Sequence, residues 1–202
     1  MEIKFCAINN EGVGGLMDRN FRSEACAALT RAKEELGSND DNRLKYAALE
    51  LRLAMEAVTY SRALALKDEI PPEEYKTWQP RKLMQVLHDI DPRLGMTKII
   101  RIGRQDDIHT PAPPERMRTA GTDVVFELKH LKKHYDAIGS YLHMPSLDQA
   151  TKDQSQAFVK LRKRCQCIAE LLDRVLSSSI FNSTFGTFST LPQCMNNDCM
   201  KP

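Results

Sequence analysis

The sequence lacks a long apolar run and a strong excess of either charge. Its longest apolar stretch falls far short of the about 20 residues that a membrane-spanning helix needs. The 29 basic and 27 acidic residues give a net charge of +2, too small to favour nucleic-acid binding except through a local patch. The polar residues Asn9 and Asn10 interrupt the N-terminal stretch before the apolar core of a secretory signal can form. We therefore expect a cytoplasmic protein without a membrane partner.

Paired cysteines and complete catalytic motifs are also lacking. The six cysteines are scattered, which in a chain without a secretory signal indicates reduced thiols. Four residues separate Cys194 from Cys199, a spacing that two zinc ligands can have, although two further ligands would be needed. A structural zinc in this tail is the only cofactor that the sequence suggests. Since no P-loop, HExxH sequence or nucleophile elbow is present, no motif indicates a reaction class.

The clearest pattern in the chain is a helix with two apolar faces at residues 44–66. One face contains Leu51, Met55 and Val58, and the opposite face contains Leu49, Leu53 and Tyr60, with charged residues in two narrow stripes between them. Both faces are expected to be buried. Such a helix is typical of the centre of a bundle.

The rest of the chain predicts a mainly α fold around this helix. Apolar periodicity and capping signals predict four more helices, at residues 20–36, 80–90, about 122–142 and 155–178. Strand candidates lie at residues 3–8, at 98–102 and in the C-terminal tail. The sequence thus predicts one antiparallel helical bundle at residues 1–180, with a small β element formed by the N- and C-terminal segments, and an extended tail at 181–202. The proline-rich stretch 103–121 is expected to be a mobile or partner-ordered loop.

Two predicted helices carry runs of basic residues. These candidates for nucleic-acid binding are Lys129, Lys132 and Lys133 on one helix and Arg162, Lys163 and Arg164 on the other. If the two helices pack side by side, the runs form one basic surface that binds RNA or DNA weakly. Otherwise they are ordinary solvated helix faces. Among the histidines, His134 at the border of a buried face and His143 just after the last turn form the candidate pair.

Two stretches carry a resemblance to a known family. The central stretch LELRLAMEAVTYSRALAL resembles a helix of HEPN domains, and LKKHYDAIGSYLHMPS is similar to a late helix of that family, with His143 at the position of its terminal histidine. The resemblance covers about residues 40–145. It implies a homodimer. It also implies a place in bacterial-type stress or defence systems, where many members are metal-independent ribonucleases that use an Arg-x4-6-His motif across the dimer interface.

The chain departs from this family at the catalytic motif. Residues 136–138, which lie at the required spacing before His143, contain no arginine. Arg104 and His109 fit Arg-x4-His, but they lie in the proline-rich stretch. The first hypothesis is therefore a non-catalytic, HEPN-like dimeric module that binds a protein or nucleic-acid partner.

Two alternatives remain open. One is a ribonuclease in which His143 or His109 acts as general acid or base and Arg104 or a lysine stabilises the phosphate. The other is a simple structural oligomerisation domain.

Overall fold

The computed structural model describes residues 19–67, 69–75, 79–104, 113–144, 147 and 155–183. They form the mainly α fold that the sequence predicts, with a small two-stranded antiparallel sheet. The elements are α1 (Phe21–Leu36), α2 (Leu44–Ala65), α3 (Pro72–Tyr75), α4 (Pro80–Ile90), β1 (Lys98–Gly103), β2 (Met117–Asp123), α5 (Leu128–Gly139) and α6 (Ser155–Leu176). The strand candidate at 3–8, His109 and the Cys194/Cys199 segment lie outside the described residues.

Helices α1 and α2 form the antiparallel pair on which the bundle is built. The Asn20 side chain accepts a hydrogen bond from the Ser23 N–H at 2.9 Å and so caps the start of α1. Phe21, at the start of α1, contacts Tyr60 near the end of α2, whereas Glu35 at the end of α1 pairs with Arg43 just before α2 begins. The two helices therefore run in opposite directions, as their short connection predicts.

The first apolar face of α2 is buried as predicted, but its second face is only partly covered. Leu51 and Met55 are fully buried against α1, α4, α5 and α6. On the opposite face Tyr46 is 61% exposed, and Leu49 and Leu53 are each 42% exposed. The prediction that Leu49 and Leu53 are buried is thus wrong within one chain. The α1 and α5 helices flank α2, and no described element lies over these three residues, which we call the α2 stripe.

The second strand corrects the sequence prediction for residues 103–127. Residues 117–123 form β2, which pairs with β1 in the register Lys98↔Asp123 to Gly103↔Met117. The α5 helix begins at Leu128 rather than near Thr122. The strand places Asp123 in a buried site. There its carboxylate accepts hydrogen bonds from Arg62 and Ser183.

The segment that follows α6, residues 177–183, lies along β2 and fastens it to the bundle; we call it the strap. Ser179 Oγ accepts a hydrogen bond from the Thr122 N–H, and the Ile180 N–H donates to the Thr122 carbonyl. The strap passes so close to Gly121 that a Cβ there would lie 2.6 Å from Ser179 Oγ and 2.8 Å from Ile180 Cγ1. A larger residue than glycine would push the two segments apart. The first residues after position 180 therefore lie against the bundle. No helix in the described part of the chain is long and apolar enough to cross a membrane.

Candidate functional site

Two of the three residues considered for catalysis, Arg104 and His143, lie within the described residues, and both are exposed. His143 is exposed just after the short 3₁₀ turn Ser140–Leu142 that ends α5. Arg104 is exposed after β1, and His109 lies outside the described residues. The convergence that a ribonuclease site would need therefore stays untested. The two histidines of the candidate pair also differ in setting, because His134 is buried whereas His143 is exposed.

Three of the six basic candidates have polar partners within the chain. Lys129 pairs with Glu127 at 2.6 Å, and Lys132 donates to Gln85 Oε1 of α4 at 3.1 Å. The Arg162 guanidinium donates to the carbonyls of Leu36 and Ser38 and pairs with Asp41. It thereby satisfies carbonyl groups that the end of α1 leaves without helical partners. We assign Arg162 to the packing of α6 against α1.

Of the other three basic candidates, Lys133 of α5 and Lys163 of α6 are exposed and Arg164 of α6 is half-buried. The charges of Lys133 and Arg164 both lower the pKa of the His134 imidazole on α5. His130 stands one turn before His134, with 6.3 Å between the two ring centroids. We call these four residues, His130, Lys133, His134 and Arg164, the α5–α6 cluster. Helices α5 and α6, which carry the two basic runs, contact each other.

The cluster holds positive charge without compensation from described carboxylates. Neither Lys133 nor Arg164 has a salt-bridge partner in the described part of the chain. Elsewhere, surface cations such as Lys33 and Arg43 pair with carboxylates at 2.6 Å. An uncompensated group of cations attracts anions, because its field is not cancelled locally.

His134 is the unusual member of the cluster. The residue is only 6% exposed, and its Nδ1 is buried without a hydrogen-bond partner among the described residues. Burial lowers its pKa below the ordinary histidine value, and the charges of Lys133, Arg164 and His130 lower it further. The imidazole is therefore neutral near pH 7, and its buried Nδ1 has no hydrogen-bond partner among the described residues.

A second polar centre, around Arg62 and Asp123, has a structural role. Asp123 is fully buried and accepts hydrogen bonds from Arg62 Nη2 at 2.9 Å and from the Ser183 hydroxyl at 2.7 Å. Burial raises the pKa of the Asp123 carboxyl, but Arg62 and Ser183 lower it more, so the net shift is downward. This ion pair joins α2, β2 and the strap. Sequence analysis missed it, because nothing in the local pattern links residues 61 positions apart.

A third polar contact joins α2 to α5. The Tyr135 hydroxyl donates to the Glu56 carboxylate, and the Arg52 guanidinium lies over the Tyr135 ring at 4.1 Å from its centroid. Burial is the main cause of a strongly raised pKa of Tyr135. Glu56 is thus already engaged and does not neutralise the α5–α6 cluster.

The metal prediction has no counterpart in the part of the chain that the structure describes. Within it, no three histidine, cysteine, aspartate or glutamate side chains are grouped so that they could hold a metal ion. The described cysteines Cys26, Cys165 and Cys167 form no disulfide. The two tail cysteines proposed as zinc ligands, Cys194 and Cys199, lie outside the described residues.

Among known proteins, no family model, curated protein or solved structure matches the chain.

Proposed function

We propose that the protein is a non-catalytic, HEPN-like helical module that acts as a dimer and binds the phosphate backbone of nucleic acid at the α5–α6 cluster. The observation that carries the proposal is that Lys133 and Arg164, whose charges both act on His134, have no salt-bridge partner among the described residues. Arg164 can donate two parallel hydrogen bonds to a phosphate, and Lys133 supplies a point charge.

We propose an absence of catalysis because of the residues that surround the candidate histidines. Cleavage of RNA needs a proton-transfer group and a cation that are held together at the scissile phosphate. His143 has no arginine at the spacing that the family uses. His134 is buried with 6% exposure, which restricts its access to a ribose hydroxyl. Binding without cleavage fits these residues better.

The α2 stripe supports the proposed dimer. Tyr46, Leu49 and Leu53 form a contiguous row on one helix face, and such rows on soluble proteins commonly mark interaction sites. A second copy of α2, packed antiparallel across a two-fold axis, would present the same row in return.

Binding to a labelled 12-nucleotide oligouridylate in EDTA, measured by fluorescence anisotropy over a range of salt concentrations, tests the nucleic-acid proposal. Wild-type affinity should fall steeply with added salt, because neutralised phosphates release counterions. The double variant Lys133→Glu/Arg164→Glu should lose at least about tenfold in affinity. A matched double charge reversal, Arg101→Glu/Arg118→Glu, places the same change on exposed residues of the β hairpin and should have a much smaller effect. Gel analysis of the same samples should show intact RNA.

Three results would speak against this proposal. Equal losses in the two double variants would mean that only overall charge matters. Poly-glutamate binding as tight as oligouridylate binding would favour an acidic protein partner instead. RNA cleavage in EDTA that is abolished by His143→Ala would favour the ribonuclease alternative.

A further inference from the structure

Strand β1 has an open edge in the described part of the chain. It pairs with β2 on one side, and no described strand lies on its other side. Ile99 and Ile102 are 61% and 63% exposed, so described residues leave much of the apolar surface of this strand uncovered. An open apolar edge can pair with strands of other chains, and folded proteins usually cover or block it. A segment that covers β1 is therefore expected.

The strap ends where such a covering segment would begin. Its last residue, Ser183, donates hydrogen bonds through its N–H and its hydroxyl to Asp123, the last residue of β2. The Ser183 carbonyl accepts a hydrogen bond of 2.9 Å from Lys98 Nζ, and Lys98 is the first residue of β1. Since Lys98 and Asp123 are opposite each other in the register, Ser183 lies at the end of the hairpin where β1 begins. The chain continues to residue 184 from that end.

The sequence that directly follows the strap is typical of a strand. Residues 184–190 read TFGTFST, in which all but two residues are threonine or phenylalanine, and both types favour strands. The segment carries no charge, so it can lie beside Ile99 and Ile102 without removing an ion from water. At about 3.3 Å per residue it would span about 23 Å, close to the about 20 Å of the six residues of β1. Pro192, just beyond it, cannot donate to a strand ladder and ends the pattern.

We infer that residues 184–190, which we call the tail strand, dock on the open edge of β1 as a third strand and complete a sheet in the order β2, β1, tail strand. A segment that starts beside Lys98 and runs along β1 advances in the same direction as β1, so the two strands are parallel. Parallel neighbours need a long connection, and here it contains β2, α5, α6 and the strap.

The inference concerns a surface other than the α5–α6 cluster and does not rest on the proposed function. Another candidate for the same edge is the strand that the sequence predicts at residues 3–8. Residues 9–18 separate that candidate from the first described residue. The tail strand follows the strap directly, which gives it the higher effective concentration at the edge.

Amide hydrogen exchange of the full-length protein, resolved by residue with NMR, tests the docking. The β1 amides that point away from β2 exchange rapidly if the edge is open and slowly if the tail strand covers it. All amides of residues 99–103 should therefore be protected in the wild-type protein. Thr187→Pro removes a donor in the middle of the tail strand and should speed exchange of the outward-pointing amides by at least about tenfold. Met195→Pro, beyond Pro192, is the matched control and should leave exchange unchanged.

A second measurement does not depend on any variant folding. In the wild-type protein, nuclear Overhauser effects should connect backbone protons of residues 99–103 with those of residues 184–190, and in a mixture of ¹⁵N- and ¹³C-labelled chains they should arise within one chain. Rapid exchange of the outward-pointing amides in the wild type, or equal effects of the two proline variants, would overturn the inference. Contacts of β1 with residues 3–8, or with β1 of a second copy, would overturn it by assigning the edge to another occupant. Each of these results leaves the nucleic-acid proposal standing.

Discussion

At the scale of single residues, the buried pair of Arg62 and Asp123 is the most consequential polar contact. The Asp123 side chain is fully buried and that of Arg62 is 7% exposed, so neither charge can be solvated if its partner is removed. Ser183 completes the site through its backbone N–H and its hydroxyl. The pair ties three segments that are far apart in sequence into one arrangement.

We predict that Asp123→Asn lowers the free energy of unfolding by about 3–5 kcal/mol, because it leaves the Arg62 charge buried and uncompensated. The matched control is Asp136→Asn, which breaks an ion pair with Arg81 in which both side chains are about half exposed. That substitution should change stability by about 0–1 kcal/mol. Urea denaturation followed by circular dichroism measures both. Similar losses in the two variants would show that the buried pair has no special role.

The same pair has a pH signature. Because the folded-state pKa of Asp123 is lowered, its contribution is present above the unfolded-state value of about 4 and is lost as the pH falls through the folded-state pKa. The Asp123→Asn variant has no such contribution to lose. Its stability should therefore decline less steeply than that of the wild type in this acidic range.

At the scale of elements, α2 shows how one helix can use its two faces differently. Met55 is fully buried among the surrounding helices, whereas Leu53, two positions earlier, is 42% exposed. The two residues have similar size and hydrophobicity, so they form a natural pair for measuring what each face contributes.

We predict that Met55→Ala lowers the free energy of unfolding by about 2–5 kcal/mol, since it removes apolar contacts and leaves a cavity. Leu53→Ala should lower it by about 1 kcal/mol or less, as is usual for exposed positions. Thermal unfolding at low protein concentration, where association does not contribute, is the suitable measurement. An equal loss at the two positions would mean that both faces are covered within one chain.

At the scale of the whole molecule, the proposed function depends on two surfaces, the α2 stripe and the α5–α6 cluster. One is apolar and the other basic, so they suit different partners. A dimer formed through the stripes would carry two basic clusters, and two linked contacts with one strand bind more tightly than either alone.

We predict that the wild-type protein sediments as a dimer at micromolar concentration and that Leu49→Glu/Leu53→Glu sediments as a monomer with unchanged circular dichroism. Charged side chains at exposed positions leave the bundle intact but must lose their hydration in an apolar contact. A wild-type monomer at this concentration would remove the dimer from the proposed function. A glutamate variant that is still dimeric would move the interface elsewhere.

The sequence by itself determined most of the helical framework. The bounds of α1, α2 and α4 agree with prediction to within one residue, and α6 ends two residues before the predicted position. Their signals are local: an asparagine cap at position 20, a proline in the first turn at position 80, and apolar spacing near 3.6 residues. Lys133 and Arg164 were also among the predicted binding residues. Such local signals extend over one or two helical turns, so they can be recognised in the sequence alone.

Only the tertiary structure decided which helix faces are buried and which charged side chains have no ion-pair partner among the described residues. The strand at 117–123 depends on pairing with β1 and on a buried partner 61 residues away, and neither leaves a local pattern. The α2 stripe stays exposed because no described neighbour lies over it, although its periodicity equals that of the buried face. Lys129, Lys132 and Lys133 look alike in sequence. The first two have Glu127 and Gln85 as partners, whereas Lys133 has no salt-bridge partner in the described part of the chain. Burial and charge compensation are sums over neighbours in space, and those neighbours are fixed only when the chain has folded.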